Sequence, residues 1–314
     1  MLTSLLPYHT YRRMVAVMVA RSLTGRGRLR SRLASENWRT WRRFRDADFT
    51  CNVCGGRGRP YFDFPDLARR REHHIGVLRE TLQCVHCGAT MRHRTLVAGL
   101  LRVLRKRTGR ALASARDIDA AALAGLRILD ADAFSPLSRL LRGLPGYACS
   151  SYRPDLPPGA RIEDGCFNVD LQRIAFPAAS FDIVLTSDVM EHVRDIDAAH
   201  REIARVLKDG GAYVFTIPYD HAMADHRVLV DTSGHEDVFL VPPQYHGDPL
   251  SGGVLAYRVF GRRIVDELAR VDLHGEFIDL DDPSALIVGG DLFVAEKTLS
   301  SPADRPAAVS LNQA

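Results

Sequence analysis

Four cysteines are the residues whose spacing most narrowly fixes a chemistry. Cys51-Asn52-Val53-Cys54-Gly55 and Cys84-Val85-His86-Cys87-Gly88 are two C-x-x-C pairs, the pattern of a structural zinc site. A C-x-x-C turn aims both sulfurs at one ion. The glycine after it lets the backbone turn tightly, so that amides face the thiolates. Two such turns complete a tetrahedron, and Cys51, Cys54, Cys84 and Cys87 are therefore expected to hold zinc structurally. A redox pair would need a single C-x-x-C at a helix start. Disulfides would suit a secreted chain, and nothing in the sequence signals secretion. Between the two pairs lie Tyr61, Phe62, Phe64 and a basic run with His73 and His74, read as a solvated turn. Cys149 and Cys166 are expected to be buried as small hydrophobes.

A second set of polar residues falls at the ends of apolar runs. Leu126-Arg127-Ile128-Leu129-Asp130 and Phe181-Asp182-Ile183-Val184-Leu185-Thr186-Ser187 read as buried strands. Asp197 to Leu207 puts Ala198, Ile203, Ala204 and Leu207 on one helical face. Lys208-Asp209-Gly210-Gly211 supplies a helix stop and a turn. Tyr213 to Ile217 is the next strand, closed by Pro218. Strand, helix and strand in this order give a right-handed crossover and a parallel sheet, whose ligands bind beyond the carboxyl ends of the strands.

Phe181 to Val193, with Glu191-His192-Val193 at its end, followed by Glu202 to Gly211, resembles the fourth strand, helix and fifth strand of class I S-adenosylmethionine (SAM) dependent methyltransferases of the small-molecule branch. The resemblance covers roughly residues 125–298. The front cysteine module, with Arg92-His93-Arg94 after Cys87-Gly88, looks like a segment that precedes some bacterial methyltransferases of unassigned substrate. The implied fold is an α/β Rossmann-like sheet with helices on both faces. The implied cofactor is SAM, beside zinc.

The resemblance also implies cofactor contacts. Asp130 ends the first strand, but the loop Ala131-Asp132-Ala133-Phe134-Ser135-Pro136 lacks the family's glycines. Asp132 in it stands where a carboxylate can pair with the cofactor's ammonium, and Ser135 precedes a helix-opening proline. Ser151 or Tyr152 takes the place of the acid that usually binds the ribose, and Asp155 is the nearest acid. Asp170-Leu171 matches the adenine contact, and Ser187 ends the fourth strand beside the methionine part.

Methyl transfer needs alignment and exclusion of water, and a base only for a poorly acidic acceptor. His192 and His246 are the expected catalytic residues, with Asp188, Tyr219 and His221 as further candidates. The Glu191-His192 pair either packs against the neighbouring helix or serves as a ligand. An Asn/Asp-Pro-Pro-aromatic motif is missing after the fourth strand, which argues against the amino-methylating DNA enzymes. A small-molecule or saccharide-type acceptor is expected. The rival readings are a catalytically degenerate scaffold, favoured by the absent glycines and ribose acid, and a zinc-assisted nucleic-acid methyltransferase. A nicotinamide oxidoreductase would need a G-x-G-x-x-G turn that is not here.

The elements that must position these residues divide the chain. A basic helical segment is expected over 1–48, a zinc module over 49–95, a helical connector over 96–124, and the methyltransferase domain over 125–298. A substrate-covering insertion is expected at about 219–260 and a flexible tail over 299–314. With 314 residues, 46% hydrophobic and 25% charged, the chain has material for one large domain and a small module. The net charge of +4 does not itself imply nucleic acid, yet arginines crowd the first fifty residues. Trp38, Trp41 and Phe44 lie among them and are read as packing a helix on its own protein. That start could also meet an anionic membrane or a partner protein. Lysine occurs only at 106, 208 and 297, read as the coding bias of a GC-rich bacterial genome. The apolar run Met14 to Ala20 is far short of a membrane span, and a cytoplasmic location is expected.

Overall fold

The computed structural model describes residues 42–62, 78–162, 165–246 and 253–298. The arginine-rich start with Trp38 and Trp41, Phe64, His73, His74, Gly247 and Asp248, and the expected tail lie outside these residues.

A seven-stranded sheet forms the centre. Its strands are β1 (Ile128–Asp130), β2 (Tyr147–Ser151), β3 (Phe167–Asn168), β4 (Phe181–Ser187), β5 (Leu207–Thr216), β6 (Leu273–Asp282) and β7 (Ile287–Lys297). The order across the sheet is β6-β7-β5-β4-β1-β2-β3. β1 to β5 pair in parallel, and β7 runs antiparallel to both β5 and β6. This is a Rossmann-like α/β sheet with helices on both faces.

β4 is buried at all seven positions because both faces of the sheet are covered. Successive side chains point to opposite faces. Ile183 and Leu185 join one core with α1 (Met91–Thr108) and α2 (Pro136–Leu141), and Val184 joins the other with α3 (Ile196–Val206) and α4 (Ile264–Ala269). The helix starts follow from capping: Thr90 accepts from the His93 amide, Ser135 from Ser138 and Asp195 from Ala198. Gly109, left-handed at φ 70°, closes α1.

The expected helix over 197–207 is α3, with Ala199, His200, Ile203 and Ala204 buried. Lys208 to Gly211 is not a free turn. It bulges inside β5, whose pairing with β4 shifts from Phe181↔Leu207 to Ile183↔Ala212.

Cys149 and Cys166 are buried, but the expectation of two unlinked hydrophobes is corrected: they form a disulfide with Cα atoms 4.7 Å apart. The reason is register. Ser150 pairs with Phe167 across β2 and β3, which brings the two preceding residues side by side.

The cysteine module shares a core with the sheet. Cys51, Phe62, Leu82 and Cys84 cluster with Leu96, Leu100, Ile183 and Leu292, and α1 runs without a break across the boundary expected at 95. The 219–260 segment is built of short ribbons, Arg227–Val228 against Arg258–Val259, Val230–Asp231 against Val238–Phe239, and Tyr245–His246 against Val254–Leu255. Among the described residues no helix is long and apolar enough to cross a membrane.

Candidate functional site

The cysteine turns form as their glycines allow. The amides of Gly55 and Gly88 donate to the carbonyls of Cys51 and Cys84, at φ 71° and 74°, which favour glycine. The sulfurs of Cys51 and Cys87 are 3.8 Å apart, as are those of Cys54 and Cys84. Zinc–sulfur bonds of about 2.3 Å in a tetrahedron set sulfurs about 3.8 Å apart, so the four residues fit zinc.

Arg94 ties this module to the sheet. Its fully buried guanidinium donates to the carbonyls of Leu82 and Ala89 in the module, and of Ala285 and Leu286 at the β6–β7 turn. Burial pulls its pKa down to about 10, with the thiolates of Cys51, Cys84 and Cys87 opposing that pull.

A cleft of about 500 Å³ opens at the carboxyl ends of the parallel strands. Asp132, Ser135, Ser151, Tyr152, Asp170, Leu171 and Ser187 line it, and so does His192. Asp130 does not. It is fully buried beneath the first loop, where it accepts from the Asp132 amide at 3.0 Å and from the Tyr147 hydroxyl at 2.5 Å. Burial, helped by the Asp132 charge, pushes its carboxyl up to about 7. The Asp132 carboxylate accepts from the Phe134 amide at 3.2 Å and lies 3.8 Å from Nε2 of His93. No residue of that loop has positive φ, so it turns without glycine. Ser135 spends its hydroxyl on the α2 cap, and Asp170 Oδ1 accepts from the Gln172 amide and side chain.

Beyond β4 the chain passes through Asp188 at φ 50°, a left-handed conformation that aspartate tolerates. Its carboxylate accepts from Arg79 twice, at 2.5 and 2.9 Å, and from Thr216 Oγ1 at 2.9 Å. Arg92 donates to Ser187 and to Glu80. Burial pushes the Glu80 carboxyl up, but Arg92 and Arg79 overcome this and hold it at about 2. Asp188 is therefore committed to an ion-pair network. Tyr219 packs against Phe277 and Phe293, and His221 pairs with Asp291. Neither lines the cleft.

His192 lies in the turn Met190–His192 after β4, with Nδ1 2.8 Å from the Leu255 carbonyl. His246, on the ribbon above it, stands edge-on to that ring at 4.9 Å but does not itself line the cleft. Arg92 and His93, which do line it, received no role from the sequence. The available signal was their position at the capped start of the helix that follows the second cysteine pair.

Residues 158–215 match the model of a methyltransferase domain. That stretch carries the sequence signature of a methyltransferase domain. No curated protein matches it in sequence. Among solved structures it is similar to the sugar N-methyltransferase KedS8 of a Streptoalloteichus species, with 15% identity, 77% of this chain and 95% of that one covered, and a TM-score of 0.38. It is also similar to the 1,6-didemethyltoxoflavin-N1-methyltransferase of Burkholderia thailandensis, with 16% identity, 72% and 98% covered, and a TM-score of 0.32. A SAM-dependent methyltransferase of Mesorhizobium loti gives 19% identity, 56% and 92% covered, and 0.35. Likeness at this level carries no argument about the substrate. The matched segment runs from before β3 to near the end of β5 and so includes Asp170, Ser187 and His192.

Proposed function

We propose that the protein transfers a methyl group from SAM to a small-molecule or saccharide-type acceptor, and that its four cysteines hold a structural zinc ion. The observation that carries the reading is the cleft. It is walled by residues at the ends of β1, β2 and β4 and after β3, where open parallel sheets bind ligands. SAM supplies a methyl group already activated on a sulfonium. The residues of the chain supply position. Asp170 would accept from the adenine amine, Ser151 would meet the ribose, and Asp132 and Ser187 would flank the amino-acid end, with Arg92 and His93 behind them. His192, oriented by the bond between its Nδ1 and the Leu255 carbonyl, would stand at the rim where the acceptor enters. His246 stands beside it.

Calorimetric titration with SAM and with S-adenosylhomocysteine tests this reading. Binding of both supports it. No heat from either would leave a methyltransferase-fold scaffold instead. Salt-dependent binding to RNA or DNA would move the acceptor to nucleic acid.

A further inference from the structure

Glu191, His192 and His246 form a group of metal-ligating side chains apart from the cysteines. The Glu191 side chain is 1% exposed, yet neither of its carboxylate oxygens has a hydrogen-bond partner among the described residues. A carboxylate without donors is among the costliest groups to bury, so this one calls for a positive partner. Two imidazoles face it. Nε2 of His192 lies 3.7 Å from Oε1, and Nδ1 of His246 lies 3.6 Å from the same oxygen. Both distances are too long for hydrogen bonds. They lie close to the separations of about 3 to 3.6 Å expected between ligands of one ion bound at about 2.0 to 2.2 Å.

One ligand atom from each residue falls within 4.8 Å of the others. Nδ1 of His192 is held by the Leu255 carbonyl, the kind of outer bond that fixes the tautomer of a metal-binding imidazole. Two histidines and a carboxylate suit a divalent first-row transition metal, and three protein ligands leave positions open. His192 and Val254 line the cleft, so the group borders the space assigned above to methyl transfer.

We propose that Glu191, His192 and His246 bind a divalent first-row transition-metal ion, and that this ion takes a hydroxyl group of the acceptor as a further ligand. Occupancy of the site stands on the three side chains alone, while its role rests on the methyl-transfer reading. The ion lowers the pKa of the hydroxyl, whose proton leaves to solvent. An oxygen lone pair then bonds to the methyl carbon, and the electron pair of the broken carbon–sulfur bond goes to sulfur, leaving a neutral thioether. The acceptor class is thereby a hydroxyl-bearing molecule, with the imidazoles acting as ligands rather than bases.

The test uses the full chain with zinc already in the cysteine site, titrated with Co²⁺ and followed by visible absorption. One further equivalent should bind, with the weak bands of nitrogen and oxygen ligation and no thiolate charge transfer. His246→Ala and Glu191→Gln should each weaken it at least tenfold. His246 is 43% exposed in its side chain, so its variant keeps the test sound if Glu191→Gln disturbs packing. His221→Ala, outside the group, should bind as the native chain does. Failure to take up cobalt, a thiolate spectrum, or binding indifferent to both substitutions would overturn the proposal. SAM titration of the same sample reports separately on the methyl-transfer reading.

Discussion

Arg92 and Ser187 meet across the cleft wall: one guanidinium nitrogen of Arg92 donates to the Ser187 hydroxyl at 2.5 Å and to its carbonyl at 3.3 Å. One residue begins the helix behind the cysteine module, and the other ends β4. The module is thereby fastened to the strand end where the cofactor is proposed to lie.

Removing Arg92 should therefore cost both stability and binding. Its Nε donates to Glu80 at 2.9 Å, and Arg79 approaches that carboxylate only to 4.0 Å. Arg92→Met leaves Glu80 with a distant partner in a buried place, a loss of about 3–5 kcal/mol. Arg92→Lys should recover little, because an ammonium cannot span both contacts as the planar fork does. Denaturant unfolding measures the loss. Stability within 1 kcal/mol of native would show that the network is not what fastens the wall.

Zinc removal should reach beyond the module. Arg94 joins the knuckles to the β6–β7 turn through four carbonyls, and the core is continuous between them. Metal analysis should find one zinc per chain in the cysteine site, and a chelator should unfold the module first, since metal binding is coupled to local folding. Because Arg92 and His93 line the cleft, SAM affinity should drop with it. Unchanged affinity after the metal is gone would uncouple the two sites.

Asp130 gives a pH signature. Its carboxyl is raised from 3.8 to about 7 in the folded chain, so the folded state holds a proton that the unfolded state has lost. Stability therefore falls as pH rises through that window and stays lower above it. Asp130→Asn keeps an acceptor for the Asp132 amide and can pair with the Tyr147 hydroxyl. It should stabilise the fold above pH 7 by on the order of a few kcal/mol, read as a higher melting temperature, and change little below pH 4. Parallel thermal profiles for the two chains would contradict the buried, proton-holding carboxyl.

The centre of the sheet was legible because its strands carry short apolar runs, Ile183 to Leu185 and Tyr213 to Ile217, bounded by turn residues and buried on both faces. Asp170, Ser151 and Ser187 were placed by the family resemblance, and all three line the cleft. The direction of Asp130 was not, because a strand-end acid can face the cleft or the core, and the choice depends on Tyr147 from the next strand. Arg94 and Ala285 are 191 residues apart, and Cys149 meets Cys166 only through strand register. No local pattern encodes either contact.

Asp170→Ala should weaken SAM binding and leave the fold intact. Oδ1 is occupied by the Gln172 amide and side chain, which fixes the carboxylate at the cleft wall. The adenine amine would then find an acceptor already in place. A hydrogen bond to a charged group is worth about 1.5–3 kcal/mol, or roughly tenfold or more in affinity. Calorimetry on the folded variant checks this, and an unchanged dissociation constant would remove Asp170 from the site.

Asp132→Gly decides what the glycine-free loop does. If backbone access limited binding, glycine would tighten it. The loop argues the other way. None of its residues has positive φ, so glycine relieves no strain and costs about 0.5–1 kcal/mol in chain entropy. The Asp132 carboxylate also holds the Phe134 amide and stands 3.8 Å from His93. Without it the turn loses its internal bond and Arg92 and His93 lose a nearby negative charge. Burial pushes the Asp132 carboxyl up, but His93 and Arg92 draw it below its ordinary value, which keeps a negative charge ready for an ammonium group. Asp132→Gly should therefore bind SAM more weakly than the native chain, while Asp132→Asn, which keeps an acceptor for the Phe134 amide, should retain the turn and lose only the charge. Tighter binding by the glycine variant would reverse the argument and make backbone approach the limiting term.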